Sequence, residues 1–233
     1  MDSRKKKYRN ELKSLNKEEI LNFGNKIDSL IDFSPAADYF YNRILEYYNK
    51  SVNNKLSLSG NNHFFDWMYA ALVAWRMNRG KNRIIEFDRF RKNIADQRYL
   101  LMKLEKCTIL NISEDEKKIL GQVFRRMHII ETRKNGKYVP TDSVIVSNSK
   151  ALHFILPNLV PPIDNAYTGE LFSFAGDVDD QERKFIEIIE FYGDILKKLN
   201  ISQKDLKNNS RYPKTIGKFM DDVVVCFIRS KMR

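Results

Sequence analysis

The residues of this sequence best suited to chemistry are a lysine and an aspartate, Lys150 and Asp164. Lys150 follows Ser147-Asn148-Ser149, which we expect to form a polar turn that opens a short apolar helix. Asp164 follows Pro161-Pro162-Ile163, where the prolines predict a break before another helix starts. A neutral lysine amine is a nucleophile, and both burial and a helix amino terminus lower the pKa of a lysine. The pair therefore predicts a nucleophile beside a carboxylate.

Both residues also have a purely structural interpretation. Lys150 lies beside a predicted turn, where surface lysines are common. Asp164 stands where an aspartate caps a helix by accepting a hydrogen bond from a backbone N–H. Under this interpretation the segment is a conformational corner, and the prolines set its bend. The residue types alone leave both interpretations open.

The segment from Ser143 to Phe172 resembles the core of the helix-hairpin-helix DNA glycosylase superfamily. In that family a hairpin precedes a catalytic lysine, and a proline–hydrophobic–aspartate element presents a catalytic aspartate at the next helix start. The resemblance implies that Lys150 forms a Schiff base and that Asp164 is the catalytic aspartate. It also implies that Ser147, Asn148 and Ser149 contact DNA as the hairpin.

The charge of the chain points to a polyanionic partner. Lys and Arg number 41 against 30 Asp and Glu, which gives a net charge of +11. An excess of this size favours association with nucleic acid, and we expect duplex DNA. The alternative is that the basic stretches are solvated helix faces with local ion pairs. The expected phosphate contacts are Arg76, Arg79, Lys81, Arg83, Arg89, Arg91, Lys92, Arg125 and Arg126.

Other kinds of site find little support in the sequence. The three histidines are far apart, and no phosphate-binding loop, zinc motif or dinucleotide-binding glycine pattern occurs. We therefore expect no metal and no small-molecule cofactor. A weaker hypothesis is a metal-dependent nuclease whose acidic residues are scattered along the chain. These acids are Asp142, Asp164, Asp177, Asp179 and Asp180.

The elements that position these residues are predicted to be helices. Gly (9) and Pro (6) are scarce, and apolar residues recur at helical spacing. We expect an all-α, compact helical domain over residues 16–233 after a charged, frayed segment at 1–15. Two helical lobes with a cleft are possible, with a hinge in the polar loop at 51–62. Asn135-Gly136 predicts one minor β-hairpin.

Several helix boundaries carry their own signals. Ser34 before Pro35 and Ser113 before Glu116 predict helix starts. Asp179 or Asp180 is expected to begin a long amphipathic helix. Gly80 suits the left-handed residue that closes an apolar helix from 64 to 77.

We see neither a signal peptide nor a membrane-spanning run of roughly 20 apolar residues, and so expect a cytoplasmic protein. The function predicted is a DNA glycosylase or AP-lyase-like repair enzyme that flips its target nucleotide from the stack. The alternative is a non-catalytic helical module that binds nucleic acid or protein. The aromatic residues proposed to stack on a flipped base are Phe64, Trp67, Tyr167 and Phe172.

Overall fold

The structure, a computed structural model, describes residues 3–27, 34–58, 62–206 and 215–232. It is mostly helical, with one small antiparallel sheet, which confirms the predicted fold class. The α-helices are α1 Ser3–Ser14, α2 Lys17–Asn25, α3 Pro35–Leu45, α4 Val52–Lys55, α5 Phe64–Ala74, α6 Phe87–Ala95, α7 Arg98–Lys103, α8 Glu114–Arg126, α9 Ile145–Ile155, α10 Val178–Lys198 and α11 Ile216–Lys231. The strands are β1 Asn82–Ile84, β2 Ile130–Lys134 and β3 Lys137–Pro140, and two 3₁₀ helices span Thr168–Glu170 and Gln203–Asp205.

Helix starts follow local capping chemistry. Ser34 accepts a hydrogen bond from Ala37 N at the start of α3, and Pro35 occupies the first helical position. Ser113 and Glu116 form the predicted capping box of α8. The start of α10 was predicted slightly too late, because Asp177 rather than Asp179 or Asp180 accepts the capping hydrogen bond.

The predicted hairpin is present and belongs to a three-stranded sheet of order β1-β2-β3. Asn135 and Gly136 both have positive φ, 50° and 80°, as a two-residue hairpin turn of the favoured twist requires. Strand β1 was missed, because only three residues, Asn82 to Ile84, pair with β2 inside a stretch whose apolar spacing favours helices.

The amino-terminal segment is a helix rather than a frayed tail. Leu12 of α1 is fully buried, and Lys5 Nζ donates to the carbonyl oxygens of Gly169 and Phe172. At least one of its basic side chains, Lys5, is therefore hydrogen-bonded to other parts of the protein. The predicted loop at 51–62 also contains a helix, α4, whose Val52 and Lys55 are buried. Residues 59–61 lie outside the described residues, and the hinge stays a prediction.

Helix α9 lies at the centre of the protein and contacts α5, α8 and α10. Every residue from Ser147 to Ile155 is buried, so the helix presents no polar face to solvent. Helix α11 packs against α2 and the 3₁₀ helix at 168–170. These two buried helices carry three side chains of the candidate site: Lys150 on α9, and Lys218 and Asp221 on α11. Among the described residues, no helix is both long and apolar enough to cross a membrane.

Candidate active site

A backbone fold-back brings the lysine and the aspartate together. Lys150 lies in the second turn of α9, and after the helix ends the chain returns along its side. The hydroxyl of Ser149 accepts a hydrogen bond from Ile163 N at 3.1 Å, which fixes the returning segment one residue before Asp164. As a result Lys150 Nζ lies 3.9 Å from Asp164 Oδ2.

A neutral histidine reinforces this fold-back. The ring of His153 is fully buried; Nδ1 lies 2.7 Å from Val160 O, and Nε2 lies 2.8 Å from the Tyr41 hydroxyl. Burial lowers the pKa of His153 to about 3, so the ring is neutral. Nδ1 then donates to the carbonyl, and Nε2 accepts from the hydroxyl. His153 is thus a positioning residue without a free nitrogen for chemistry.

Lys150 and Asp164 line one cavity of about 270 Å³. Its walls are partly aromatic, because Trp75 and Tyr167 also line it, and the Trp75 ring centroid lies 5.6 Å from Lys150 Nζ. Further polar lining comes from Arg76, Lys218 and Asp221. The remaining described lining residues are Ile27, Ser34, Ala37, Ala74, Pro162 and Val225.

The environment of Lys150 favours the neutral amine. Only 7% of the residue is exposed, and the ammonium makes no hydrogen bond to any residue that the structure describes. Burial lowers the pKa of Lys150, the charges of Asp164 and Asp221 partly oppose this, and Lys218 lowers the pKa further. Of the two predicted causes, burial is the main one. The predicted helix amino terminus does not apply, because Lys150 lies within the second turn of α9.

Asp164 uses its two oxygens differently. Oδ1 accepts a hydrogen bond of 2.7 Å from Ala166 N, as a capping aspartate does, whereas Oδ2 faces Lys150. The expected α-helix after Asp164 is absent from the described segment: a turn leads into the 3₁₀ helix Thr168–Glu170. The structural and functional interpretations of Asp164 are therefore compatible, because each uses a different oxygen.

The sequence interpretation missed a second charged group at this site. Lys218 Nζ donates to Asp221 Oδ2 at 2.7 Å and to Asp222 Oδ1 at 2.5 Å, one turn further along α11. Burial raises the pKa of Asp221 to about 6, with the Lys218 charge acting in the opposite direction. The signal in the sequence is a lysine with acids three and four positions later inside an otherwise apolar helix.

The predicted polar turn before Lys150 is wrong. Ser147, Asn148 and Ser149 lie inside α9 and are buried. The Asn148 amide donates to the carbonyls of Phe124 and Met127, because the end of α8 leaves carbonyls without helical partners. Ser147 Oγ donates to Val144 O. All three side chains are buried inside α9, and they do not form the predicted DNA-binding hairpin.

Four of the predicted basic contacts form ion pairs. Arg83 and Arg89 both pair with the buried carboxylate of Glu131, at 2.9 and 3.0 Å. The other two pairs join Arg125 to Glu182 at 2.8 Å and Arg91 to Asp88 at 4.0 Å. The alternative interpretation, of helix faces with local ion pairs, therefore describes part of the basic surface.

The other predicted basic contacts have no acidic partner among the described residues and are exposed: Arg76, Arg79, Lys81, Lys92 and Arg126. Of these, Arg76 borders the cavity. Among the aromatic candidates, Tyr167 lines the cavity, whereas Phe64 and Phe172 are core residues and Trp67 stacks on Phe40. Trp75 was not predicted.

The nuclease hypothesis requires a cluster of side chains that can hold a metal ion. Among the residues described, no group of three or more His, Cys, Asp or Glu side chains is arranged to hold a metal ion. Asp177, Asp179 and Asp180 belong to the start of α10, and neither they nor Asp142 line the cavity that contains Asp164.

Comparisons with known proteins return no similarity: no family model matches the chain, and no curated protein or solved structure matches it significantly.

Proposed function

We propose that this protein is a DNA-processing enzyme of the base-excision type, a DNA glycosylase or AP lyase that uses Lys150 as its nucleophile. The observation that carries the proposal is the buried amine 3.9 Å from a carboxylate at the wall of one cavity. A buried ammonium without hydrogen bonds is unfavourable for folding. A chemical role accounts for keeping a lysine at this position.

The chemistry begins with the neutral amine of Lys150. At an abasic site the amine adds to the C1′ aldehyde, and loss of water gives an imine. Removal of a C2′ proton then expels the 3′ phosphate with the electron pair of the C3′–O bond, which cuts the strand. At an intact nucleotide the amine displaces the base, which leaves with the electron pair of the glycosidic bond.

Asp164 acts through its charge. Oδ2 faces the position of the developing positive charge on the sugar and stabilises it. The Ala166 N–H holds Oδ1, so the carboxylate keeps its orientation during the reaction. The target nucleotide has to leave the base stack to reach a cavity whose walls include Trp75 and Tyr167. Either ring offers an apolar face for a base or sugar.

The choice of DNA rests on charge. The chain carries a net charge of +11, and several exposed basic side chains have no acidic partner in the described part of the chain. Such side chains bind phosphates and release counterions. We place this activity in the cytoplasm, where reducing conditions would keep the buried Cys107 a thiol.

The second candidate is a non-catalytic helical module that binds nucleic acid or protein. The capping hydrogen bond from Ala166 N to Asp164 favours it, because this bond alone explains an aspartate at that position. Under this alternative Lys150 has no covalent chemistry, and binding to DNA would be reversible under all conditions.

Borohydride trapping separates the two candidates. The purified protein is mixed with duplex DNA that contains an abasic site, and borohydride reduces any imine to a stable amine. We expect a covalent adduct with the parent protein and a loss of at least 100-fold in trapping for Lys150→Gln.

The matched control is Lys55→Gln. Lys55 is equally buried and its pKa is also lowered, to about 8, but it lies outside the cavity. Trapping should be retained in this variant. An adduct that persists in a folded Lys150→Gln variant would remove Lys150 from the mechanism, and no adduct with the parent would favour the binding module.

A further inference from the structure

A groove lies beside the catalytic cavity and shares one residue with it. The groove has a volume of about 720 Å³, and Arg76 borders both spaces. Its walls also include Asn165, adjacent to Asp164 in the chain, and Ser147, three residues before Lys150 on α9. A ligand that enters the catalytic cavity and extends into the groove would therefore pass Arg76.

The groove has the chemistry of an anion site. Two arginines, Arg76 and Arg79, line it together with the hydrogen-bonding side chains of Asn82, Ser143 and Asn165. No acidic residue is among its described lining, and neither arginine forms an ion pair with any residue that the structure describes. Guanidinium groups bind phosphate oxygens in a planar, two-point geometry.

The groove also has an apolar wall. Met77, Ile130, Val146 and Phe174 line it beside the arginines. A purely inorganic anion needs no such wall. A nucleotide does, because each phosphate is joined to a sugar and a base with apolar faces.

The backbone at Arg76 is the second, independent observation. Arg76 has a φ of 60°, in the left-handed region that glycine adopts most readily. It closes α5 with Arg76 N bonded to Val73 O at 2.9 Å and Met77 N bonded to Leu72 O at 3.0 Å. Glycine is the usual residue at this position of the motif. A long side chain in a disfavoured conformation at a cavity mouth points to a role for that side chain.

We propose that this groove binds the phosphodiester next to the sugar that reacts with Lys150, and that Arg76 is the main phosphate contact. The proposal rests on the proposed function, because it takes the reacting sugar to belong to a DNA strand. Arg79 holds the same phosphate or its neighbour, and Phe174 contacts the adjoining nucleotide.

The test uses Arg76→Gly and a duplex that carries a tetrahydrofuran abasic analogue, which binds but cannot form an imine. Removal of the side chain should weaken binding about tenfold and reduce the slope of log affinity against log salt by about one. Because glycine suits the left-handed cap, the melting temperature should equal or exceed that of the parent. Lost binding without lost stability is a result that a structural role cannot give.

Asn200→Gly is the matched control. Asn200 occupies the same capping position at the end of α10, with a φ of 51° and Ile201 N bonded to Leu196 O at 2.9 Å, but it borders neither cavity. This variant should gain stability in the same way and bind the duplex as the parent does.

The outcomes distinguish this inference from the proposed function. If Arg76→Gly binds the duplex with unchanged affinity and unchanged salt dependence, the proposed phosphate site in the groove is wrong. Trapping of the parent protein through Lys150 would still support the proposed enzyme activity. The parent protein could instead be trapped on free deoxyribose 5-phosphate in a way that depends on Arg76, while it fails to bind the duplex. That result would show that the groove does not bind a phosphodiester, and it would indicate a small sugar phosphate as the substrate. Absence of both trapping and duplex binding in the parent would overturn both.

Discussion

The amine of Lys150 is buried beside the Trp75 ring, and its nearest carboxylate, Asp164, lies just beyond hydrogen-bond distance. A lysine that served only to hold Asp164 would be expected to form a direct hydrogen bond, as Lys218 does with Asp221. Burial lowers the pKa of Lys150, whereas the charge of Asp164 opposes that shift. Under the proposed function, the absence of a direct hydrogen bond to Asp164 leaves the amine free to approach a substrate carbon. The two lysines at one cavity therefore differ in their contacts: Lys218 is held by two carboxylates, and Lys150 is the nucleophile that we propose.

Changing Asp164→Asn should alter the pH dependence of imine formation. The carboxylate raises the pKa of Lys150 against the effect of burial, so its removal lowers that pKa further. Imine formation depends on the neutral amine and rises with pH through the pKa of Lys150. We expect the rising limb of the trapping-rate profile to move to lower pH.

The same variant should cleave intact nucleotides at least tenfold more slowly, because the charge that stabilises the sugar is lost. The control is Asp205→Asn, which removes a carboxylate that pairs with Lys17 outside the cavity. This variant should leave the pH profile of trapping unchanged. A profile that does not move in Asp164→Asn, or moves to higher pH, would contradict the coupling of Asp164 to Lys150.

The geometry of the site depends on how closely α11 packs against the segment that follows α9 and folds back along it. Gly217 makes that contact: a Cβ atom there would lie 2.6 Å from the carbonyl oxygens of both Pro157 and Val160. These are backbone atoms, so they cannot move aside as a flexible side chain can. The glycine thus sets the position of Lys218 and Asp221 relative to Lys150.

Gly217→Ala should therefore lower the free energy of unfolding by roughly 1–3 kcal/mol, because α11 has to move away from the returning segment. Denaturant unfolding measures the loss, and trapping efficiency should fall in the fraction that remains folded. Gly121→Ala is the control, since its Cβ would meet the end of the flexible Glu182 side chain. Equal losses in the two variants would show that backbone contact at Gly217 is unimportant.

Short sequence motifs predicted which helices and turns form more accurately than they predicted the residue at which a helix ends. The capping box at Ser113 and the Asn135-Gly136 turn were predictable because each is decided by residues within four positions. The end of α5 was not: Gly80 was expected to close the helix, yet Arg76 takes the left-handed position and Gly80 falls in the turn before β1. The phosphate contact that we propose for Arg76 would account for an arginine at that position.

The candidate site was partly predictable for the same reason. Lys150 and Asp164 share one local segment, so their proximity follows from a turn and two prolines. Trp75 and Lys218 reach the cavity from α5 and α11, and tertiary packing alone brings them there. The polar residues at 147–149 were predicted to form a turn, because polar residues usually mark one. Here they lie inside a buried helix, and Asn148 donates hydrogen bonds to carbonyl oxygens at the end of α8.

At the scale of the whole molecule, the positive charge is divided between two uses. Part of it is neutralised internally, as in Arg83 and Arg89 around the buried Glu131. Another part, including Arg76 and Arg79, lacks acidic partners in the described residues and lies at or beside the cavity that contains Lys150. A net charge of +11 alone would predict binding to any polyanion. The position of these side chains relative to Lys150 is what makes the proposed function specific.

The most direct test is to identify the residue that becomes attached to DNA in the unaltered protein. The borohydride-reduced adduct on abasic duplex DNA is digested with nuclease and protease, and mass spectrometry locates the modified amine. We predict that the modification lies on Lys150, in the tryptic peptide from 138 to 183, because trypsin does not cleave after a modified lysine. Modification of Lys218, of Lys55 or of the amino terminus, or the absence of any adduct, would contradict the assignment of Lys150 as the nucleophile.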